Sequence, residues 1–194
     1  MHVLTIKMNT ITNIQDKRKN NMIKPRIYVA SLADYNNGTL YGKWIDADQS
    51  DEAIQDEVNA MLEASTIPNC EEWAIHDYEG FDDILINEYQ SFERVSKLAE
   101  LVKSHGNAFA QWYNNDGNRE NIDDLENKFT DCFIGEYESL ADYAQQFIEE
   151  TGMEISEYLT NYIDYEAMGK DWELSGEIST VKNGYKSLYI FRNN

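Results

Sequence analysis

The sequence predicts an α+β protein in which two mixed α/β units with antiparallel strands flank a helical middle. Three observations predict this fold class. Short segments rich in β-branched and aromatic residues lie towards both ends of the chain, and segments with helical apolar spacing lie between and beside them. Clusters of Asn, Asp and Gly separate these segments. A length of 194 residues allows one ordinary domain or two to three small ones.

The first mixed unit reads as strand, strand, helix, strand. Arg26–Leu32 and Leu40–Asp46 are predicted to form a hairpin, with Ala33–Gly38 as its turn. Ser50 is a typical helix N-cap, and Trp73–Tyr78 is the third predicted strand. The apolar stripe of the helix is predicted to consist of Ile54, Val58, Met61 and Leu62.

The middle of the chain reads as helical. Ser91 is predicted to cap a helix, and Ala108–Tyr113 and Ile122–Phe129 are shorter helical segments. Asn114–Asn118 is predicted to be a loop on composition. The buried stripe after Ser91 is predicted to consist of Phe92, Val95, Leu98, Ala99 and Val102.

The last third begins with a possible short strand, Cys132–Tyr137, and a helix that Ser139 caps and Gly152 ends. The string Ser-Leu-Ala-Asp-Tyr at 139–143 also occurs at 31–35, where it leaves a strand, and its unmatched flanks indicate coincidence rather than duplication. The stripe of this helix is predicted to consist of Leu140, Tyr143, Ala144, Phe147 and Ile148.

A further helix and a hairpin are predicted to close the chain. Ile155–Tyr162 is the helical segment. Trp172–Thr180 and Tyr185–Phe191 are predicted to pair as strands around the turn residues Lys182–Gly184.

These elements divide the chain into an N-terminal α+β domain at 23–82, a helical middle domain at 83–128 and a C-terminal α+β domain at 129–194. Residues 1–22 show no sustained periodicity. They are interpreted as a disordered extension or a misassigned start, with Met22 as the natural start, while a functional basic arm is the alternative.

The charge of the chain narrows its possible partners. The net charge is −20, and residues 131–177 hold 13 acidic residues and one base, Lys170. Phosphates would repel such a surface, so direct binding of nucleic acid or of an anionic membrane is disfavoured and a basic partner is favoured. No apolar run is long enough for a transmembrane helix, and two cysteines without a CxxC motif are typical of a reducing cytoplasm.

No sequence motif predicts catalysis, a cofactor or a metal site. His76 and Asp77 are neighbours in a strand, so their side chains point to opposite faces, and a structural role is expected. The segment Asp46–Asp51 with Glu57 resembles an EF-hand loop in spacing, but Asp51 stands where such a loop needs glycine. Helix capping is therefore preferred there, and an enzyme is not expected.

Taken alone, the acidic residues can be interpreted in two ways: as a solvated surface, or as a surface that recognises a partner. Residues 26–194 carry −24, which equals the charge of roughly 40 Å of duplex DNA at one charge per about 1.7 Å. A protein of this kind is suited to a basic DNA-binding groove. An acidic adaptor for an unrelated basic protein and a metal-dependent enzyme remain the alternatives.

Three stretches of the sequence carry a family resemblance. The first is Arg26–Gly38 with Gly42–Asp46, the second is Glu71–Glu79, and the third is Tyr143–Gly152 with Asn161–Tyr165 and Asp171–Ile178. Together they resemble the ArdA antirestriction proteins of conjugative plasmids and transposons, and the resemblance runs from about Met22 to the C-terminus. The first and third stretches are specific, whereas the middle of the chain, about 83–128, is not.

The resemblance implies a non-enzymatic cytoplasmic DNA mimic, without cofactor or metal, that occupies the DNA-binding groove of type I restriction–modification enzymes. It would block restriction, and modification with it, of incoming mobile DNA during conjugative transfer, and so serve evasion of host defence. It also implies an elongated chain of three small domains that forms a homodimer through the C-terminal one.

The family's antirestriction motif matches the acidic segment at about 136–152 of this sequence. The resemblance therefore makes Asp142, Glu149 and Glu150 the leading phosphate mimics. Tyr162, Ile163 and Tyr165 are expected either to be buried in their own domain, which is preferred, or to contribute to the dimer contact. The further candidate mimics are Glu154, Glu157, Asp164, Glu166, Asp171 and Glu173.

Overall fold

The computed structural model describes residues 23–152 and 154–193, so the predictions for 1–22 lie outside the described residues. It confirms the α+β class, with helices and two antiparallel sheets. Its contacts group the described chain into two compact units, 23–125 and 126–193, each considered by itself below. The division into three domains and the elongated arrangement stay predictions.

A three-stranded antiparallel sheet organises the first unit. Its strands are β1 (Arg26–Ser31), β2 (Gly42–Asp46) and β3 (Trp73–Glu79), in the order β2-β1-β3. Tyr28 lies opposite Trp44 on one side and Asp77 on the other. The three strands and the helix Asp51–Glu63 follow the predicted order, but a short helix, Leu32–Asn36, stands between the first two strands.

The first unit also contains four α-helices, which lie between these strands or after them in the sequence. Two 3-10 turns, Gly117–Arg119 and Ile122–Asp124, come after the last of them. The helices are α1 (Leu32–Asn36), α2 (Asp51–Glu63), α3 (Phe92–His105) and α4 (Asn107–Asn115). Every residue of the stripes predicted for α2 and α3 is buried, because each stripe faces the core of this unit.

Two predictions in this unit were wrong. Ala33–Gly38 is not a simple turn, because Ser31 accepts a hydrogen bond from the Asp34 amide and thereby starts α1. Asn114–Asn118 is only partly a loop, since α4 runs to Asn115 and a 3-10 turn begins at Gly117.

The second unit contains its own three-stranded antiparallel sheet, in the order β4-β6-β5. Helix α6 begins after the Ser139 cap, as predicted, and Gly152 follows its last turn with φ 67°. The elements are α5 (Leu125–Cys132), β4 (Phe133–Tyr137), α6 (Leu140–Glu150), α7 (Glu157–Thr160), α8 (Tyr165–Ser175), β5 (Ile178–Asn183) and β6 (Ser187–Arg192).

The predicted strand at Trp172–Thr180 was wrong in its first half. Residues up to Ser175 belong to α8, which ends at Gly176 with φ 80°, and only Ile178 onwards is strand. Met168 and Trp172 stand one turn apart on that helix, and Trp172 packs edge-to-face on Tyr143 at 5.6 Å between ring centroids. The predicted helix at Ile155–Tyr162 is one turn long, Glu157–Thr160.

Helices α6 and α8 approach each other closely at one glycine. A Cβ placed on Gly169 of α8 would lie 2.8 Å from the Leu140 Cβ and 2.8 Å from the Leu140 carbonyl oxygen. Only glycine fits this contact, which brings the two acid-bearing helices of the unit together. Across the described residues, no helix is both long and apolar enough to cross a membrane.

Candidate functional site

The three leading candidates lie on the exposed side of α6. Asp142 stands in the first turn, where its carboxylate accepts a 2.6 Å hydrogen bond from Ser139 Oγ. Glu149 accepts from Gln145 Nε2 at 3.0 Å, one helical turn away. Glu150 likewise accepts a hydrogen bond from Gln146 Nε2 at 2.7 Å. Neutral donors thus fix these carboxylates without cancelling their charge.

Four further candidates belong to α8, and all four are exposed. Asp164 caps the helix by accepting a 2.9 Å hydrogen bond from the Ala167 amide. Glu166 forms a 2.9 Å ion pair with Lys170, and this hydrogen bond raises the pKa of the lysine. Asp171 and Glu173 follow it along the helix.

The remaining two candidates lie between the helices. Glu154 is exposed, whereas the side chain of Glu157 lies outside the described part of the chain. Among the candidates whose side chains are described, Glu166 is the one in an ion pair with a described residue. The other described candidates therefore carry negative charge that no described cation compensates.

Acidic residues around the sheet of the first unit behave differently, because basic side chains compensate several of them. Lys24, Lys43 and Arg26 each hold a carboxylate at 2.5–2.6 Å, and Lys103 pairs with a fourth. The pairs are Lys24–Asp46, Arg26–Glu79, Lys43–Glu57 and Lys103–Asp48.

The negative charge of helix α6 acts on the half-buried phenol of Tyr137 in β4. Burial raises the pKa of Tyr137 to about 12, and the negative charge of Glu150 adds to the shift. Burial also raises the pKa of Tyr143, with Arg192 opposing the shift. Both shifts favour the neutral, protonated form of the phenol.

The sequence-based candidates omit three exposed carboxylates of this region and one that serves the fold. Asp131, Glu138 and Glu177 are exposed, and all three fall within the acidic stretch 131–177 that the composition had indicated. Glu136 is half-buried and accepts hydrogen bonds from Asn183 at 2.6 Å and Ser187 at 2.7 Å. It therefore holds β4 to the closing hairpin rather than facing a partner.

The EF-hand-like segment is built as a helix cap. Ser50 accepts a 3.2 Å hydrogen bond from the Ala53 amide and so starts α2. Asp46, Asp48 and Glu57 each pair with a basic side chain, as described above. No group of three potential metal ligands converges anywhere in the described ranges.

His76 contacts an aromatic ring rather than its neighbour in sequence. It packs edge-to-face against Tyr35 at 5.0 Å between ring centroids. Asp77 accepts a 2.8 Å hydrogen bond from the Tyr78 amide. The structure therefore shows a separate local contact for each residue, and their structural role stays a prediction.

The short helix α7 and its flank carry exposed apolar side chains. Tyr158, Leu159 and Tyr162 are 72%, 54% and 72% exposed, and the two tyrosine rings lie 5.5 Å apart. The preferred expectation that Tyr162 is buried in its own domain is therefore wrong, whereas Ile163 and Tyr165 are half-buried. In α6, Phe147 of the predicted stripe is 39% exposed.

A family comparison decides how this acidic arrangement is to be understood. The model of the antirestriction protein family ArdA matches residues 27–187, which is most of the chain. The chain belongs to the ArdA antirestriction family. A comparison with curated proteins found no match. As an ArdA-family protein it belongs to a non-enzymatic family that acts against restriction–modification enzymes, and the matched range contains every candidate carboxylate.

Proposed function

We propose that this ArdA-family protein is a DNA mimic that occupies the DNA-binding groove of type I restriction–modification enzymes. The observation that carries the proposal is the set of exposed carboxylates on α6 and α8, of which Glu166 is the one compensated by a described cation. A basic groove would supply the missing counter-charges. The protein then needs no catalytic group, and it acts in the cytoplasm, where it meets the enzyme.

The spacing of the carboxylates supports a phosphate-like role. A helix rises about 1.5 Å per residue, so Asp142 and Glu149 stand about 10 Å apart along α6. Phosphates of one DNA strand follow each other at about 3.4 Å along the duplex axis, so this separation corresponds to roughly three steps. Helix α8, which packs on α6 at Gly169, adds further exposed acidic residues to the same unit.

Homodimer formation through the second unit is part of the proposal. Its support is the exposed apolar group Tyr158, Leu159 and Tyr162, since exposed aromatic surface is typical of protein interfaces. Sedimentation should give a dimer for the unchanged protein and a monomer when these residues are replaced by serine. If the variant is still a dimer, the interface lies elsewhere on the protein.

The direct test is competition for the DNA site. A type I restriction–modification enzyme is bound to labelled duplex DNA, and the protein is titrated in at two salt concentrations. Displacement that weakens at higher salt is expected, because the contacts are charge pairs. A matched control carries three neutralised acids of the first unit, Glu63→Gln, Asp123→Asn and Glu72→Gln, against Asp142→Asn, Glu149→Gln and Glu150→Gln in the test variant.

The variants separate the proposal from its competitor. The test variant should displace DNA clearly less well than the control, although both lose three charges. Equal weakening of DNA displacement by the two variants would mean that the net charge of the protein, and not the position of the carboxylates, determines displacement. No displacement by the folded protein would instead favour the acidic adaptor that binds an unrelated basic protein.

A further inference from the structure

A second acidic feature lies in the first unit, between the beginnings of α2 and α3. It is a groove of about 510 Å³. The first turns of α2 contribute Asp51, Glu52 and Asp56, and the first turn of α3 contributes Glu93. Trp73, at the start of β3, lines it as well.

The charge of this groove is strongly negative, and no cation that the structure describes compensates it. None of Asp51, Glu52, Asp56 and Glu93 forms an ion pair with a residue that the structure describes, although several carboxylates elsewhere in the unit do. Each helix N-terminus contributes only about +0.5 of a charge, so two helix ends offset about one of the four negative charges. A cation entering the groove is therefore attracted.

The aromatic side of the groove makes it more than an acidic patch. The ring of Trp73 stacks on that of Phe92 with 4.3 Å between centroids and 19° between planes. Phe92 is buried and fixes the indole, while Trp73 remains partly exposed at the groove. Tryptophan is the ring that attracts cations most strongly, and a planar cation stacks on it best.

We propose that this groove binds one arginine side chain of the restriction–modification enzyme, with the guanidinium stacked against Trp73 and paired with the groove carboxylates. The inference rests on the proposed function and extends it to the first unit. Arginine is favoured over lysine because its flat guanidinium offers both a stacking face and a two-pronged donor edge. On DNA, arginines use that same edge for acceptor atoms of guanine.

The first test probes the groove without any restriction enzyme. The isotope-labelled full-length protein is titrated with N-acetyl-arginine amide, and the indole N–H signal of Trp73 is followed by NMR. A saturable shift of this signal is expected, larger than that of Trp44, Trp112 and Trp172 and larger than with N-acetyl-lysine amide. A Trp73→Phe variant assigns the signal.

Matched variants locate the effect. Asp56→Asn with Glu93→Gln should abolish the shift, because both carboxylates line the groove and neither caps a helix. Glu63→Gln with Asp123→Asn removes the same charge from exposed sites outside the groove and should leave the shift intact. An unmoved Trp73 signal, or equal responses to arginine and lysine, would overturn the proposal.

Another occupant would also be detected. If replacing Lys17, Arg18 and Lys19 by glutamine moves the Trp73 signal in the absence of ligand, the groove already holds the chain's own basic segment. That outcome overturns binding of the enzyme's arginine at this site.

The second test returns to the enzyme. In the competition assay, the groove pair Asp56→Asn and Glu93→Gln should raise the concentration needed for half-displacement of DNA about 3- to 10-fold, while the matched control pair changes it less than about twofold. Displacement that is unaffected by the groove pair would refute the arginine site and leave the mimic proposal standing. Absence of displacement by the unchanged protein would refute the mimic proposal, whereas the NMR result would still stand.

Discussion

Ser31 and Asp34 are joined by two hydrogen bonds: Ser31 Oγ donates to Asp34 Oδ2 at 2.6 Å and accepts from the Asp34 amide at 3.1 Å. Ser139 and Asp142 form the same two bonds at the same distances. The repeated string Ser-Leu-Ala-Asp-Tyr is thus one capping structure used twice. The two copies differ in burial, since Asp34 is 4% exposed and also accepts a bond from Ser65, whereas Asp142 is exposed.

This difference predicts unequal effects of the same substitution. Asp34→Asn should lower the urea midpoint of unfolding several times more than Asp142→Asn, because a buried amide cannot accept all the donors that converge on Asp34. Asp142→Asn is the matched control, since it changes the same motif at the surface. Equal losses would show that the cap, not the buried network, supplies the stability.

The acid dependence of stability should follow Asp34 as well. The hydrogen bond from Ser31, with those from Ser65 and Cys70, lowers the pKa of Asp34 despite its burial. A lowered pKa in the folded state gives stability that is present above the unfolded pKa of about 4 and is lost as the pH falls through the folded value. Urea midpoints measured below pH 5 should fall less steeply for Asp34→Asn than for the unchanged protein.

The pKa of the Tyr137 phenol should depend on the negative charge of the acidic surface. Its pKa of about 12 should fall in Glu150→Gln and at high salt, because either change weakens the negative charge beside it. Ultraviolet absorbance titration measures this, and the difference from Tyr137→Phe isolates the one phenol. Glu154→Gln, at an exposed site not coupled to this phenol, is the control. An unchanged pKa would place Glu150 too far from Tyr137 to act on it.

Much of the fold could be predicted because apolar spacing and caps agree in most elements. Ser50, Ser91 and Ser139 start the helices that the sequence predicted. The strand predicted to begin at Trp172 was wrong, because Trp172 and Leu174 alternate with polar residues as they would in a strand. Leu174 is in fact 84% exposed, and the helical spacing that runs back to Tyr165 prevails.

The candidate site was less predictable than the fold. The charge run indicated its region, but ion pairing depends on which lysines and arginines lie close in space. Sequence alone did not distinguish the half-buried Glu136, which binds Asn183 and Ser187, from its exposed neighbour Glu138. The groove at Trp73 also escaped notice, because its walls come from three separate segments.

The close approach of α6 and α8 should be sensitive to a single methyl group. Gly169→Ala should destabilise the protein by about 1–3 kcal/mol, because the new Cβ would overlap the backbone of Leu140. Chemical denaturation measures the change. Ala167→Gly is a control on an exposed site of the same helix and should cost about 1 kcal/mol through helix propensity alone. A stabilising Gly169→Ala would contradict the close contact.

The proposed mimic surface should tolerate single changes and fail progressively with several. Glu150→Gln alone should weaken DNA displacement less than about fivefold, since exposed ion pairs contribute little individually. Adding Glu149→Gln, Asp171→Asn and Glu173→Gln in turn should weaken it stepwise. Circular dichroism checks the fold of each variant. One substitution that abolished activity in a folded protein would indicate a discrete site instead.

The glycine contact between α6 and α8 also has a consequence for the entropy of association. Because the Gly169–Leu140 contact sets the separation of the two helices, the rows of carboxylates are spaced before any partner arrives. The glutamine bonds to Glu149 and Glu150 already restrict those two side chains. Immobilising a flexible side chain at an interface costs about 0.5–1.5 kcal/mol, so a surface ordered in advance keeps more of its charge attraction as affinity.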